Sequence, residues 1–272
     1  MKIKKILNNN AVVVIDNNEE KIAIGSGVAF QKKKNDIVNM HKVEKLFVMK
    51  EKTKFEQLLQ QIPEDHFTIT EEIIAHAEEF LGSTLNEHVH IALTDHVSFA
   101  IERIKDGIPL KNQLLHEIKI LFKDEFQIGM WAIHHIEEEL QIKMPVDEAA
   151  FIALHIHTAR VPGRNIKQSL RQTSIIGETV QMIGQCLNIE IDEEDISYER
   201  LITHLRSIFS RHNQENSQIM DEELLVMIKR KFSLAYQCAQ KIADNFSKKY
   251  GIILTDQELG YITIHIERLR NR

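Results

Sequence analysis

Short runs of β-branched and aromatic residues fill most of the first fifty positions of the chain. Polar or glycine-containing segments at 8–10, 16–18 and 25–27 separate these runs. Apolar runs joined by such short turns predict an antiparallel β-meander. The predicted strands are residues 3–7, 11–15, 21–24, 28–31 and 46–49. Because a core of about fifty residues is marginal, we expect this domain to gain stability by pairing with a second copy as a homodimer.

After residue 50 the apolar positions recur every three or four residues, which predicts helices as far as the C-terminus. A charged segment at 51–61 is predicted as a linker helix that ends at Pro63. Thr68 and Glu71 fit a capping box that opens a helix running to about Leu81. Further predicted helices are 87–105, 112–122, 126–140, 147–159, 166–187, 194–213, 221–250 with a break allowed inside it, and 255–270.

The helical region contains an internal duplication. A motif E-x-x-[FY]-I-x-[LI]-H-I places His155 and His265 at equivalent positions, and a second motif places His96 and His204, each followed by an arginine seven residues later. The first offset is 110 residues and the second is 108. Two separate motifs with matched offsets indicate two homologous domains. The predicted fold is therefore a small antiparallel β-sheet domain at 1–55, a linker at 56–64, and two all-α helical-bundle domains at 65–165 and 166–272.

The distribution of charge separates the β-domain from the rest. The whole chain has a net charge of -6, with 43% hydrophobic and 27% charged residues, which is typical of a soluble globular protein. Residues 1–55 hold twelve lysines and six acids, so they carry about +6. A basic segment attached to an acidic body suggests a polyanionic partner, although a lysine-rich soluble surface gives the same pattern. No long apolar run or signal peptide is evident, and with only two cysteines we expect a cytoplasmic protein.

The four repeated histidines are candidate phosphate acceptors. Neutral imidazole can attack phosphorus, and the N–P bond that forms transfers its phosphoryl group readily. Arg103 and Arg211, two helical turns after their histidines, are candidate partners for the added charge. A histidine on an apolar helix face is more often a buried, hydrogen-bonded core residue, and that interpretation stays open. The candidate phosphorylation sites are His96, His155, His204 and His265.

Other chemistry lacks its usual motifs. His155 and His157 are two residues apart, which does not place them on one helix face, and no H-E-x-x-H or close cysteine pair occurs. No phosphate-binding glycine loop or nucleophile elbow is present. We therefore expect no metal, no cofactor and no enzymatic activity.

The β-domain has residues suited to an irregular RNA. Glycines allow close backbone approach, asparagines contact bases or phosphates, an aromatic ring stacks on a base, and lysines neutralise phosphates. No predicted helix in this segment could enter a DNA groove. These residues also have a simpler interpretation as hairpin turns and a core phenylalanine. The candidate RNA-binding residues are Lys5, Asn8, Asn10, Gly25, Ser26, Gly27, Phe30 and Gln31.

Five motifs occur together along the chain: the three asparagines at 8–10, G-x-G-x-x-F-Q-K-K at 25–33, L-T-D-H at 93–96, F-I-A-L-H at 151–155 and T-I-H-I at 263–266. In this order they resemble the BglG/SacY/LicT family of transcription antiterminators over essentially the whole chain. The resemblance implies a dimeric RNA-binding domain that holds a leader-RNA hairpin and thereby prevents a terminator from forming upstream of sugar-utilisation genes. It also implies two regulation domains of the sugar phosphotransferase system.

The resemblance assigns donors to the histidines. It implies that a sugar-specific permease places inhibitory phosphate on His96 and His155, and that the carrier protein HPr places activating phosphate on His204 and His265. One departure is Ser26, where many relatives carry arginine. The competing hypotheses are a DNA-binding activator with the same regulation domains, which the lack of a helix-turn-helix before residue 65 disfavours, and a phosphotransfer enzyme, for which the sequence displays no acceptor site.

Overall fold

The computed structural model describes residues 1–16, 19–47, 61–160, 166–211 and 220–271. Its N-terminal part is a four-stranded antiparallel sheet in the order β1-β2-β3-β4. The strands are β1 (Lys2–Asn8), β2 (Ala11–Asp16), β3 (Glu19–Ile24) and β4 (Lys45–Phe47). The two-residue connection between β1 and β2 and the direct pairing of β2 with β3 confirm the predicted meander.

The predicted strand at 28–31 is wrong, because this segment forms consecutive turns. The Val28 N–H donates to the Gly25 carbonyl at 3.0 Å, and the Phe30 N–H donates to the Gly27 carbonyl at 3.2 Å. Gly27 and Gln31 both have positive φ, which a strand does not allow. Val28 and Ala29 are still buried, but against the sheet rather than within it. Hydrophobicity alone therefore did not distinguish a loop that packs on the sheet from a strand within it.

Both faces of the sheet are covered, as the alternating directions of the side chains along β2 show. Val12 and Val14 point to the face that packs under the loop following β3, with Val28 and Val38. Ala11 and Val13 point to the opposite face, where they join a cluster with Phe67 from the first helix. The period of two along the strand therefore supplies two thin cores instead of one core and one solvated face.

Ten α-helices follow in the described part of the chain. They are α1 (Glu64–Leu81), α2 (Val89–Lys105), α3 (Leu115–Leu121), α4 (Lys123–Leu140), α5 (Val146–Arg160), α6 (Ile166–Leu187), α7 (Ile196–Arg211), α8 (Glu222–Lys231), α9 (Ser233–Tyr250) and α10 (Asp256–Arg270). All the predicted helices after residue 64 are found, and the long one at 221–250 is interrupted at Phe232. The predicted linker helix lies outside the described residues except for its end. Within the described ranges, no helix has both the length and the apolar character needed to cross a membrane.

The predicted capping box at Thr68 is wrong. Helix α1 already begins at Glu64, directly after Pro63, so Thr68 lies inside the helix and its hydroxyl donates to the Glu64 carbonyl at 3.0 Å. A hydroxyl one turn from a carbonyl on the same helix readily makes this bond. A capping box that was not predicted opens α10, where Thr255 and Glu258 exchange both hydrogen bonds.

The chain divides into two compact units by contact. The first unit comprises Met1–Asn112 and Asp124–Ile166, and the second comprises Gln113–Lys123 and Lys167–Arg272. Helix α3 therefore belongs to the second unit, although it lies in the first repeat of the sequence. The Tyr198 hydroxyl of α7 donates to Glu117 of α3 at 3.2 Å, and both side chains are buried.

Candidate functional site

The asparagine turn and the glycine loop of the β-domain lie together. The Asn10 N–H donates to Asn8 Oδ1 at 2.9 Å, and Asn10 Oδ1 in turn accepts the Gly27 N–H at 2.7 Å. The Gly25 N–H donates to the Asn10 carbonyl at 3.0 Å. Two segments separated in sequence are thus fixed as one surface. Asn8 and Asn10 position this surface through their own side-chain oxygens, which the sequence alone did not reveal.

The two glycines of the loop are needed for different reasons. A Cβ on Gly25 would lie 1.8 Å from the Lys42 carbonyl oxygen, so the backbones approach too closely for any side chain. Gly27 has φ +61°, in the left-handed region that L-residues with side chains rarely adopt. The Lys42 ammonium donates to the Gly27 carbonyl at 3.3 Å, which places a cation beside the loop. Lys42 was not among the predicted RNA-binding residues, although it lies in the same basic segment.

The side chains after these glycines are exposed. Phe30 is 58% exposed, so its interpretation as a core phenylalanine is wrong. Ser26 and Gln31 are exposed as well, and the Ser26 N–H donates to Glu44 Oε1 at 3.0 Å. Lys5 lies exposed on β1, in register with Val13 of β2. An accessible aromatic ring beside glycines and lysines is a suitable contact for an unstacked RNA base.

One edge of this surface contacts helix α1 within the first unit. The Asn10 side-chain amide donates to the Thr68 hydroxyl at 2.9 Å, and the Asn9 amide donates to Glu64 Oε2 at 3.0 Å. Phe67, which is buried, packs on the apolar face of the sheet. The asparagine turn is therefore coupled to the first helical repeat by hydrogen bonds as well as by apolar packing.

The first histidine pair is formed between α2 and α5. The ring centroids of His96 and His155 are 4.9 Å apart, at an interplanar angle of 31°. Burial, helped by the charges of His96 and His88, lowers the pKa of His155 to about 3. His155 is therefore neutral at physiological pH, which is the form that can act as a nucleophile.

A buried glutamate supports this pair. Glu148 is 0% exposed, and its Oε2 lies 3.4 Å from His96 Nε2. Its Oε1 accepts a hydrogen bond from the Arg103 guanidinium, which is also buried and lies 5.5 Å from the centre of the Phe99 ring. Arg103, predicted as a phosphate partner, is thus already paired in this structure. Glu148 belonged to the repeat motif, yet its spacing gave no sign of this role.

The second pair repeats the geometry between α7 and α10. The ring centroids of His204 and His265 are 4.8 Å apart at the same angle of 31°. Burial, followed by the charges of His204, Arg268 and Arg200, lowers the pKa of His265 to about 4. The side chain of Arg211, the other predicted phosphate partner, lies outside the described residues. Both predicted pairs are therefore brought together, and in each pair one member is held neutral.

The second pair opens into a cavity of about 500 Å³. Its lining residues are Ile196, Glu199, Arg200, Thr203, His204, Ser207 and His265. Among the described residues, no group of three or more His, Cys, Asp or Glu side chains could hold a metal ion. Each pair offers one neutral imidazole, His155 or His265, next to charged side chains.

Comparison with known proteins identifies the modules. Residues 1–56 match the CAT RNA binding domain, and residues 71–159 and 177–269 each match the PRD domain, which confirms the duplication inferred from the motifs. The chain is 39% identical to the transcription antiterminator LicT of Bacillus subtilis (strain 168), over 99% of both chains. It is 38% identical to the beta-glucoside operon antiterminator of Dickeya chrysanthemi, over 100% of this chain and 97% of that one.

A solved structure supports the same arrangement. The crystal structure of GlcT CAT-PRDI aligns with a TM-score of 0.55 and 39% identity, covering 58% of this chain and 96% of that one. The match at the N-terminus is to an RNA-binding module, which disfavours the DNA-binding alternative. The members of this group are regulators and not enzymes. The chain therefore belongs to the BglG/SacY/LicT family of transcription antiterminators, with one CAT RNA-binding domain and two PRD domains.

Proposed function

We propose that this protein binds a leader-RNA hairpin through its β-domain, and that phosphate on the two histidine pairs controls this binding. The observation that carries the proposal is the recurrence of one geometry: two histidine pairs with nearly identical ring separations, attached to a β-domain with an exposed aromatic loop. A hairpin held by the protein is unavailable to the overlapping terminator, so transcription continues. Because nascent transcripts are found in the bacterial cytoplasm, we place the protein there.

The RNA-binding residues of the proposal are those on the joined surface. Phe30 stacks on an unpaired base, while the backbone at Gly25 and Gly27 allows the RNA to approach closely. Asn8 and Asn10 set the position of the loop, and Asn10 has its amide toward α1. Lys5 contributes charge, Ser26 and Gln31 supply polar contacts, and the net charge of about +6 on residues 1–55 attracts the backbone.

Phosphorylation uses the neutral histidines. The lone pair of an unprotonated ring nitrogen attacks the phosphorus of a phosphorylated donor, a new N–P bond forms, and the bond to the donor's leaving atom breaks with its electron pair returning to the donor. The low pKa values of His155 and His265 keep this lone pair available at neutral pH. The donors in the proposal are HPr and a sugar-specific permease of the phosphotransferase system.

Phosphate on the first pair would disturb a buried charge network. A phosphoryl group on His96 brings nearly two negative charges close to Glu148, which is fully buried and already paired with Arg103. Like charges in a poorly hydrated site repel strongly, so α2 and α5 must separate or Arg103 must leave Glu148 for the phosphate. Either response acts on α2, which lies against α1 and contacts the apolar cluster of the β-domain through Ile91. We propose that this change reaches a homodimer of RNA-binding domains.

The test of RNA binding uses the full chain. We expect selective binding to the leader hairpin over a scrambled-stem RNA and over duplex DNA of the same sequence, with affinity falling steeply as salt rises. Phe30→Ala should weaken binding about tenfold or more, since base stacking contributes about 1–3 kcal/mol. Phe80→Ala is the matched control, because Phe80 is also exposed but lies on α1. Equal binding to both RNAs, or a preference for duplex DNA, would contradict the proposal.

Histidine variants test whether phosphorylation controls antitermination. Replacing His96 and His155 with alanine should make antitermination in cells independent of the permease, and replacing His204 and His265 should remove dependence on HPr. Intact-mass measurement of the purified variants after incubation with phosphorylated HPr locates the phosphate. Persistent permease control in the first double variant would exclude the role proposed for that pair.

A further inference from the structure

The two histidine pairs share their ring geometry but differ in the charges around them. Alignment of the repeats pairs each position of α7 with the position 108 residues earlier in α2, and each position of α10 with the position 110 residues earlier in α5. Differences between aligned positions therefore show what each repeat has added to the same framework. The differences that matter here lie one helical turn from the histidines.

The second repeat has two arginines at these positions. Arg200 lies four residues before His204 on α7, and Arg268 lies three residues after His265 on α10. Side chains three or four residues apart lie on the same helix face. Arg200 lines the cavity together with both histidines, and the charges of both arginines help lower the pKa of His265. Two cations from two helices thus converge on one pair.

The cavity has further features of an anion site. Thr203 and Ser207 line it with hydroxyl groups, of which the Thr203 hydroxyl donates to the Glu199 carbonyl at 2.9 Å. Glu199 is its acidic lining residue, and that carboxylate is paired with the Lys123 ammonium. His265 Nδ1 is buried and makes no hydrogen bond to the described residues. The cavity volume of about 500 Å³ is ample for a phosphoryl group.

The first repeat differs at each of these positions. The counterparts of Arg200 and Arg268 are Ala92 and Thr158, and the Thr158 hydroxyl donates to the backbone carbonyl of His155. The counterparts of Thr203 and Ser207 are Asp95 and Phe99. The Glu148 carboxylate lies 3.4 Å from the His96 ring. The first pair is therefore bordered by the ion pair of Glu148 with Arg103, whereas the second is bordered by two arginines and by Glu199, which Lys123 pairs.

We propose that the cavity beside His204 and His265 is a phosphate-binding site, in which Arg200 and Arg268 bind the phosphoryl group carried by either histidine. This inference rests on the proposed phosphorylation of these histidines and names the residues that receive the group. Arginine is suited to the role because its planar donors match phosphate oxygens. Phosphate on the second pair is thus held across α7 and α10 and fastens these helices together. Phosphate on the first pair meets Glu148, so that either α2 and α5 separate or Arg103 leaves Glu148 for the phosphate.

The experiment measures the charge around each phosphoryl group directly. The full chain is phosphorylated with potassium phosphoramidate: an imidazole nitrogen attacks phosphorus, the P–N bond of the reagent breaks, and ammonia leaves with the electron pair. The ³¹P signal of each pair is assigned by its loss when both histidines of that pair are replaced by alanine. The pKa of each phosphoryl group then follows from its chemical shift between about pH 5.5 and 9, a range that spans the second phosphate ionisation, with the chain in urea as reference.

The expected result differs between the pairs. Nearby cations favour the doubly charged phosphoryl form, so the pKa at the second pair should fall below its urea value by about one unit or more. At the first pair the phosphoryl pKa should lie closer to its urea value, because Glu148 is also near and shares Arg103 with the phosphate. The double variant Arg200→Gln, Arg268→Gln should return the phosphoryl pKa at the second pair to within about half a unit of its urea value. Arg200→Lys alone keeps the positive charge and should retain much of the shift.

The control is Arg206→Gln, which removes the same charge from the same helix. The Arg206 guanidinium donates to the Leu121 carbonyl at 2.7 Å, so its substitution should leave the phosphoryl pKa unchanged. Arg200 and Arg268 are both exposed, and their substitution should not disturb the core. A reciprocal variant, Ala92→Arg with Thr158→Arg, should lower the phosphoryl pKa at the first pair.

The outcomes distinguish failure of the phosphate-binding site from failure of the proposed histidine phosphorylation. If both pairs are phosphorylated but the arginine variants leave the phosphoryl pKa at the second pair unchanged, the phosphate site is wrong and the proposed phosphorylation stands. If neither pair gives a phosphohistidine signal with phosphoramidate or with a phosphorylated protein donor, the phosphorylation fails and the phosphate site fails with it.

Discussion

Replacing Glu148 with glutamine tests the charge network under the first histidine pair. Glu148 is 0% exposed and Arg103 is 8% exposed, so the substitution leaves a buried guanidinium without its counter-charge. Removing one partner of a buried ion pair costs about 3–5 kcal/mol. The glutamine amide oxygen can still accept a hydrogen bond from Arg103, which favours a cost at the lower end of this range. We therefore expect the free energy of unfolding of the first unit to fall by about 3 kcal/mol.

The matched control is Glu258→Gln, the aligned position in the second repeat. Glu258 accepts hydrogen bonds from the N–H and the hydroxyl of Thr255, in the capping box of α10. Glutamine also serves at this position of a capping box. The same chemical change should then cost less than about 1 kcal/mol. The two variants differ in what the carboxylate contacts, while the residue type and the position in the repeat are the same.

Urea denaturation followed by tryptophan fluorescence suits this comparison. The chain has one tryptophan, Trp131, which lies on α4 in the first unit and stacks on His76 with ring centroids 3.8 Å apart. With a slope of about 2 kcal/mol per molar urea, Glu148→Gln should lower the midpoint by about 1.5 M. A shift no larger than that of Glu258→Gln, measured in parallel by circular dichroism, would refute the reasoning.

Three further predictions concern the β-domain and the histidines. Gly25→Ala should abolish hairpin binding by gel shift, because its Cβ would lie 1.8 Å from the Lys42 carbonyl oxygen, and wild-type affinity would contradict so close an approach of the two backbones. His155 should remain neutral by NMR down to about pH 4, and stability should fall as the pH drops from about 6.5 toward 3, since only the unfolded chain takes up this proton there. Phe67→Ala should destabilise the first unit by about 3–5 kcal/mol in urea, and a cost below about 1 kcal/mol would mean that the sheet does not depend on α1.

Periodicity predicted the helices well because their signal is distributed over many residues. Helix α6 was predicted with the bounds that it has, and the interruption of the long segment at Phe232 was allowed for. The duplication gave the histidine pairs, since matched offsets in two motifs require equivalent positions in two similar bundles. His96 was paired with His155, 59 residues away, and His204 with His265, 61 residues away, from the sequence alone.

Single boundaries and partners were harder to predict. Thr68 has the sequence of a cap, yet the helix had already begun at Glu64 and the hydroxyl turned to the backbone. The loop at 28–31 has the hydrophobicity of a strand, and only the positive φ values of Gly27 and Gln31 reveal its turns. The partner of Arg103 could not be predicted either, because it lies on another helix, 45 residues away. Spacing along a chain gives a residue's helix face, whereas contacts between helices depend on how the helices pack.

The different roles of Glu148 and Glu258 follow from one residue at the start of their helices. The aligned positions three residues earlier are Pro145 and Thr255. Thr255 offers an N–H and a hydroxyl, which hold Glu258 in the capping box. Proline has neither donor, so that position offers the Glu148 carboxylate no hydrogen bond, and the carboxylate instead contacts Arg103 and lies beside His96. A difference at a helix start thus decides whether the first pair has a buried anion beside it. On the proposal that both pairs carry phosphate, this difference would let a duplicated framework with nearly identical ring geometry respond oppositely to the same group.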